Sequence, residues 1–204
     1  PRLPVDRVFT IAGSGTVVTG TLLDGSLSVG DEVEIVPSGL KSRLRGLQTH
    51  KARVTTAGPG SRVAANLVGI AIAQVQRGDV LTKPGWLVAT TLLSAHLHLL
   101  PDAPRALGHN ITVSFHTGSA ETMAKVRLLE KEKLQPGEWA WVQIALIQPV
   151  ALVKGDHFII RSTMETMGGG NVVDVYAKRL RRFRPEIIEK LRVQEEGTEE
   201  TRLL

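Results

Sequence analysis

His96 and His98 stand two residues apart in LLSAHLHLL, a spacing that on a strand turns both imidazoles to one face and offers a metal its first two ligands. No third ligand follows at a recognisable spacing, so the pair reads as two sheet histidines and no metal is expected. Ser, His and Asp all occur, yet no nucleophile elbow or other triad signature joins them. Glu130, Lys131, Glu132 and Lys133 precede a turn and read as a solvated hairpin. No catalytic residue is assigned. The densest chemistry is KRLRRFR (178–184). Lys178, Arg179, Arg181, Arg182 and Arg184 can neutralise RNA backbone phosphates, and Phe183 can stack on a base. The same run fits a solvated connector between domains, or arginines packed back on acidic surface of a neighbouring domain. All three readings stay open here.

The stretch DRVFTIAGSGTVVTGTLLDG (6–25) poses a second question, because glycine clusters can cradle phosphates. Gly13, Gly15 and Gly20 fit neither the G-x-G-x-x-G spacing nor a P-loop ending in Gly-Lys-Ser/Thr. Thr16, Val17, Val18 and Thr19 are β-branched and resist helix, so no helix N-terminus is available to hold an anion. The reading is strand, Gly-Ser-Gly turn, strand.

The elements that must position these residues are short Val/Ile/Leu/Thr runs between Gly, Pro, Asp and Ser signals, the pattern of an all-β chain. Strands are expected near 6–12, 15–23, 32–37, 41–48, 61–68 and 79–82. A second set follows near 87–99, 110–116, 120–129, 139–148, 157–161 and 170–175. Lys83-Pro84-Gly85 is a turn and the expected first boundary. WAWVQIALIQ (139–148) is apolar on both pleat faces and reads as a central strand. From Pro185, Ile187, Ile188 and Leu191 have helical spacing, predicting one short helix. The end, EEGTEETRLL, reads as frayed.

Composition narrows the function classes. The 204 residues contain no Cys, which excludes disulfides and thiolate chemistry and suits a reducing cytoplasm. No apolar run is long enough for a bilayer and no signal peptide is visible, so a soluble cytoplasmic protein without a membrane partner is expected. The net charge of +5 makes an anionic partner plausible. It resides in residues 1–85, with ten basic against six acidic side chains, and in 176–204, with eight against six.

DRVFTIAGSGTVVTGTLLDGSLSVGDEVEIVP, GLQTH, AGPGSRVAANL and QRGDVLTKPG together resemble the second domain of translational GTPases related to elongation factor Tu. The resemblance covers residues 4–85. It implies two consecutive antiparallel β-barrels with a short C-terminal helix: 1–85 binding the aminoacyl end, 86–177 contacting tRNA and a G domain, and 178–204 a basic linker opening a C-terminal extension. It implies that GTP and Mg belong to that G domain, whose Walker lysine and N-K-x-D motifs this sequence lacks. No cofactor is therefore expected in this chain. Ile11 and Val17 would wall a pocket for the terminal adenosine of charged tRNA, joined by Gln48, Lys51 and Asn66. Those last three depart from the Glu, Arg and apolar residue of elongation factor Tu.

Asp6, Arg7 and Arg62 would face the aminoacyl side chain, and this Asp-Arg…Arg set is similar to that of selenocysteine-specific elongation factors of the SelB type. METMGGGNVVDVYAKRLRRFRPE (164–186) is a second mark of that family, although Val175 and Ala177 stand where relatives often have proline. The resemblance implies selenocysteyl-tRNA and the ribosome as partners, and a messenger RNA hairpin held by winged-helix modules beyond the barrels. Two guanidiniums suit an ionised selenol, whereas serine on the same tRNA is neutral. The alternatives left open are Arg62 as a structural partner of Asp6, the barrels of another elongation or initiation factor, and a translational interaction module that binds no tRNA.

Overall fold

A computed structural model describes residues 1–11 and 15–200, with side chains through residue 197. The chain divides into two compact units, residues 1–89 with 118–120 and residues 90–117 with 121–204, and the strands Ala89–Leu99 and Ala120–Leu128 each begin on the last first-unit residue before the second. Residues Ala12 to Ser14, most of the expected Gly-Ser-Gly turn, lie outside the described set.

The first unit carries β1 (Arg2–Pro4), β2 (Arg7–Ile11), β3 (Gly15–Thr21), β4 (Leu27–Ser28), β5 (Glu32–Val36), β6 (Leu40–Thr49), β7 (Ala52–Val54), β8 (Thr56–Ala57), β9 (Arg62–Leu67) and β10 (Val80–Thr82). Its main sheet runs β1-β10-β5-β6-β9-β3-β2, with β7 on β6. The two ends of that order are halves of one bent strand, separated only by Val5 and Asp6. At the bend the Val5 N–H donates to the Asp79 carbonyl at 2.8 Å and the Asp6 N–H to the Thr19 carbonyl at 2.8 Å. One half therefore pairs β10 and the other β3, and the sheet curls back on itself. Gly20 permits this crossing, since a Cβ there would stand 2.0 Å from the Pro4 carbonyl oxygen. Leu3, Val18, Leu22, Ile35, Leu47 and Leu81 fill the interior.

The second unit carries β11 (Ala89–Leu99), β12 (Leu107–Gly108), β13 (Ile111–Thr117), β14 (Ala120–Leu128), β15 (Lys133–Leu134), β16 (Trp139–Ala151), β17 (His157–Arg161), β18 (Thr166–Asp174) and α1 (Pro185–Glu200). Six strands close in the order β11-β16-β14-β13-β17-β18, so no edge is left unpaired among them. Phe115 and Phe158 stack in the interior with centroids 5.3 Å apart.

Two expectations need correction in this unit. β18 starts at Thr166 rather than near 170, because Gly168, Gly169 and Gly170 form strand. Their missing side chains let neighbouring strands approach: a Cβ on Gly168 or Gly170 would stand 2.2 Å from the His98 carbonyl oxygen or 1.9 Å from that of His96. The helix α1 also continues through Glu195–Glu200, the first part of the stretch expected to fray, while residues 201–204 of that stretch lie outside the described set. Leu191 is buried against Leu129, Trp141 and Val173, with Ile187 and Ile188 beside it, and Glu195 and Gln194 tie the later turns to His96 and Lys154.

The same packing explains the apolar character of 139–148. Ala140, Val142, Ile144 and Leu146 are buried on one pleat face, while Trp141 lies under α1 and Gln143 under residues 178–180. The strand is buried twice because the C-terminal segment covers part of its outer face.

Candidate nucleic-acid interface

Asp6 occupies the bend between β1 and β2, and its carboxylate is gripped from two sides. Arg62, at the start of β9, donates from Nη1 to Oδ2 at 2.6 Å and from Nη2 to Oδ1 at 3.1 Å. The Thr19 hydroxyl donates to Oδ1 at 2.7 Å. Burial pushes the carboxyl up, but hydrogen bonds from Arg62 and Thr19 and the charges of Arg62 and Arg7 outweigh it and hold it below the usual range. Thr19 and Thr21 alternate onto one face of β3, where Thr19 pairs Arg7 and Thr21 pairs Arg62. Arg7 is exposed on β2. Two of the five N–H donors of Arg62 are spent on Asp6, and the others have no hydrogen-bond partner among the described residues.

A groove of about 560 Å³ opens on the first unit, bounded in part by Ile11, Val17, Gln48 and Asn66. Four of the five expected adenosine-pocket residues thus converge from β2, β3, β6 and β9. The fifth, Lys51, stands outside that lining in the β6–β7 turn, with a φ of 67°. Asp6, Arg7 and Arg62 also lie outside the lining. Phe9, Val29, Arg45 and Arg53 line the groove without having been anticipated. A β-bulge explains Arg45: Leu44 pairs Leu67 and Gly46 pairs Asn66, so Arg45 is the extra residue. Arg53 sits directly opposite Gln48. Gly46, directly after Arg45 in an otherwise alternating strand, was the available signal for the bulge.

The basic run 178–184 lies along the outside of the second unit. Arg182 donates from Nε to the Leu128 carbonyl at 2.8 Å and from Nη2 to the Lys131 carbonyl at 2.8 Å, pairs Glu132 at 3.0 Å, and lies over the Phe183 ring. Arg182 is thus tied to its own unit by two backbone carbonyls and one glutamate, a role that none of the three readings of this run describes. Lys178, Arg179, Arg181 and Arg184 are exposed.

His96 and His98 share one face, where they stack on Trp141 and Trp139 with centroids 4.2 and 4.6 Å apart. No group of three metal-ligating side chains occurs among the described residues. Ser114 Oγ lies 2.9 Å from His116 Nε2, but Glu121 reaches Ser114 and that same nitrogen rather than the far side of the ring. This is a polar cluster, since a triad needs the acid on the other nitrogen. No helix among the described residues is long and apolar enough to cross a membrane.

Residues 15–82 match the family model of elongation factor Tu domain 2, and residues 94–179 match that of the selenocysteine-specific elongation factor β-barrel domain. The chain belongs to the selenocysteine-specific elongation factor family. It is 43% identical over 183 residues to a selenocysteine-specific elongation factor of Desulfomicrobium baculatum. That alignment takes in 89% of this chain and spans 29% of the relative's length. The first match contains Val17, Gln48, Arg62 and Asn66, whereas Asp6, Arg7 and Ile11 precede it, and the second match ends inside the basic run at residue 179.

Proposed function

We propose that this chain is the tRNA-binding part of a factor that delivers selenocysteyl-tRNA to the ribosome at UGA codons during selenoprotein synthesis in the cytoplasm. The groove receives the terminal adenosine, with Ile11 and Val17 against the base, Gln48 and Asn66 at its polar edge, and Lys51 approaching from the β6–β7 turn. The aminoacyl side chain meets Asp6, Arg7 and Arg62, where two guanidiniums against one carboxylate leave positive charge. A selenolate is attracted to that charge and a neutral seryl group gains little from it. Asp6 fixes the Arg62 guanidinium by two charge-assisted bonds, so the cation is held in place before the ligand arrives. Lys178, Arg179, Arg181 and Arg184 are the members of the basic run open to RNA phosphates.

GTP hydrolysis with Mg is the work of a G domain, so this chain alone has no turnover. The messenger RNA hairpin is engaged by winged-helix modules beyond the barrels. The observation that carries the reading is the convergence of Ile11, Val17, Gln48 and Asn66 on one groove in a chain of this family. Deacylation-protection measurements with the intact factor test it. Selenocysteyl-tRNA is expected to be protected more strongly than seryl-tRNA of the same sequence, and equal protection would refute the reading.

A further inference from the structure

Arg45 and Arg53 are absent from the adenosine-pocket residues that family resemblance supplies, yet both line the groove. The fold delivers them by separate means: Arg45 by the bulge in β6, and Arg53 by its cross-strand position opposite Gln48. Both side chains are exposed, and neither has an ion pair or hydrogen bond among the described residues. Arg43, on the same strand, pairs Glu32 at 3.8 Å and lies outside the groove. Phe9, Ile11, Val17 and Val29 supply an apolar wall in the same groove. An apolar wall with unneutralised guanidiniums beside it suits a nucleotide, with its base on the wall and its phosphate on the cations.

We infer that Arg45 and Arg53 form a phosphate clamp that grips the RNA backbone next to the terminal base. The inference rests on the proposal that the groove takes the 3′ end of tRNA. The clamp reads no sequence and no aminoacyl group; it holds the strand in register so that the base and the acyl group reach their separate contacts.

The test measures binding of the 204-residue chain to a short fluorescent single-stranded RNA ending in adenosine, across a salt titration. Arg45→Gln and Arg53→Gln are each expected to weaken low-salt binding and to shrink the slope of log K against log salt by about 0.7, the value for one lost single-strand phosphate contact. Arg43→Gln is expected to leave the slope unchanged. Val17→Asn, which damages the wall without adding charge, is expected to weaken binding by a similar factor at every salt concentration. Thermal melts establish that each variant folds. Parent-like slopes for both groove variants, or an equal slope loss in Arg43→Gln, would overturn the clamp while Val17→Asn still weakens binding. Parent-like binding by Val17→Asn, or no binding by the parent chain, would overturn the groove's assignment to RNA and the clamp with it.

Discussion

Gln143 holds Leu180 across the outer face of the second barrel: its Oε1 accepts the Leu180 backbone N–H at 2.9 Å. Nε2 of the same side chain donates to the Lys178 carbonyl at 2.9 Å, and Arg127 Nη1 donates to Oε1 at 2.9 Å. Gln143 is fully buried, so this amide pins the connector in one register before α1 begins. Gln143→Leu keeps the volume but strands a backbone N–H, a carbonyl and a half-buried guanidinium. A loss of about 3 kcal/mol is expected, from desolvation costs of 1–3 kcal/mol for each stranded group. Denaturant melts measure the loss, and trypsin should cut within 178–184 faster than in the parent.

Arg182 and Arg181 are neighbours with opposite duties. Arg182→Ala removes two bonds to backbone carbonyls and the Glu132 pair, and should cost about 1–3 kcal/mol. Arg181→Ala, at an exposed position, should leave stability within about 0.5 kcal/mol of the parent. Paired thermal melts check both values, and equal effects would contradict the assignment.

Gly170→Ala should destabilise the second barrel by more than about 3 kcal/mol, the upper end of overpacking costs. Its new Cβ would meet the His96 carbonyl oxygen at 1.9 Å, and that backbone cannot yield without parting β11 from β18. Gly46→Ala has no atom within 4 Å of its added Cβ and serves as the tolerated comparison for overpacking. Urea melts of the two variants distinguish collision from a general intolerance of glycine replacement.

Two carboxyls, half-buried Asp6 and buried Asp79, should respond to pH with opposite sign. Asp6 is held below its ordinary value of 3.8, so its stabilising contribution is present above that pH and fades as acid carries the folded state through its lowered pKa. Asp79 is pushed up by burial, against the pull of the Gln76 N–H. Its contribution therefore declines as pH rises above 3.8 through the folded-state value. Asp79→Asn should raise the melting temperature at pH 7 relative to the parent, with the gain vanishing in acid. Asp6→Asn should lower it at neutral pH, with the loss shrinking below about pH 4. Melting temperatures across pH 3–7 check both signs.

Much of the barrel architecture was legible because β-branched runs and turn glycines report a sheet locally. Gly168, Gly169 and Gly170 misled for a physical reason: glycine usually interrupts a strand, whereas here the close approach of three backbones requires it. The length of α1 was hidden because its anchors, Trp141 and His96, come from distant strands. The convergence of Ile11, Val17, Gln48 and Asn66 was visible through family resemblance. Arg45 was not, since a bulge alters the face a residue occupies without changing the local composition. The Asp6–Arg62 pairing was also anticipated through resemblance, while its two-bond geometry depends on the register of β3 with β2 and β9.

Charge reversal at Arg62 separates recognition of a selenolate from general affinity for tRNA. Selenocysteyl-tRNA and seryl-tRNA binding to the intact factor are compared for the parent and Arg62→Glu by deacylation protection. The preference for the selenocysteyl form is expected to fall by at least tenfold, about 1.4 kcal/mol, while seryl-tRNA binding changes little. A parent-like ratio between the two tRNAs would contradict it.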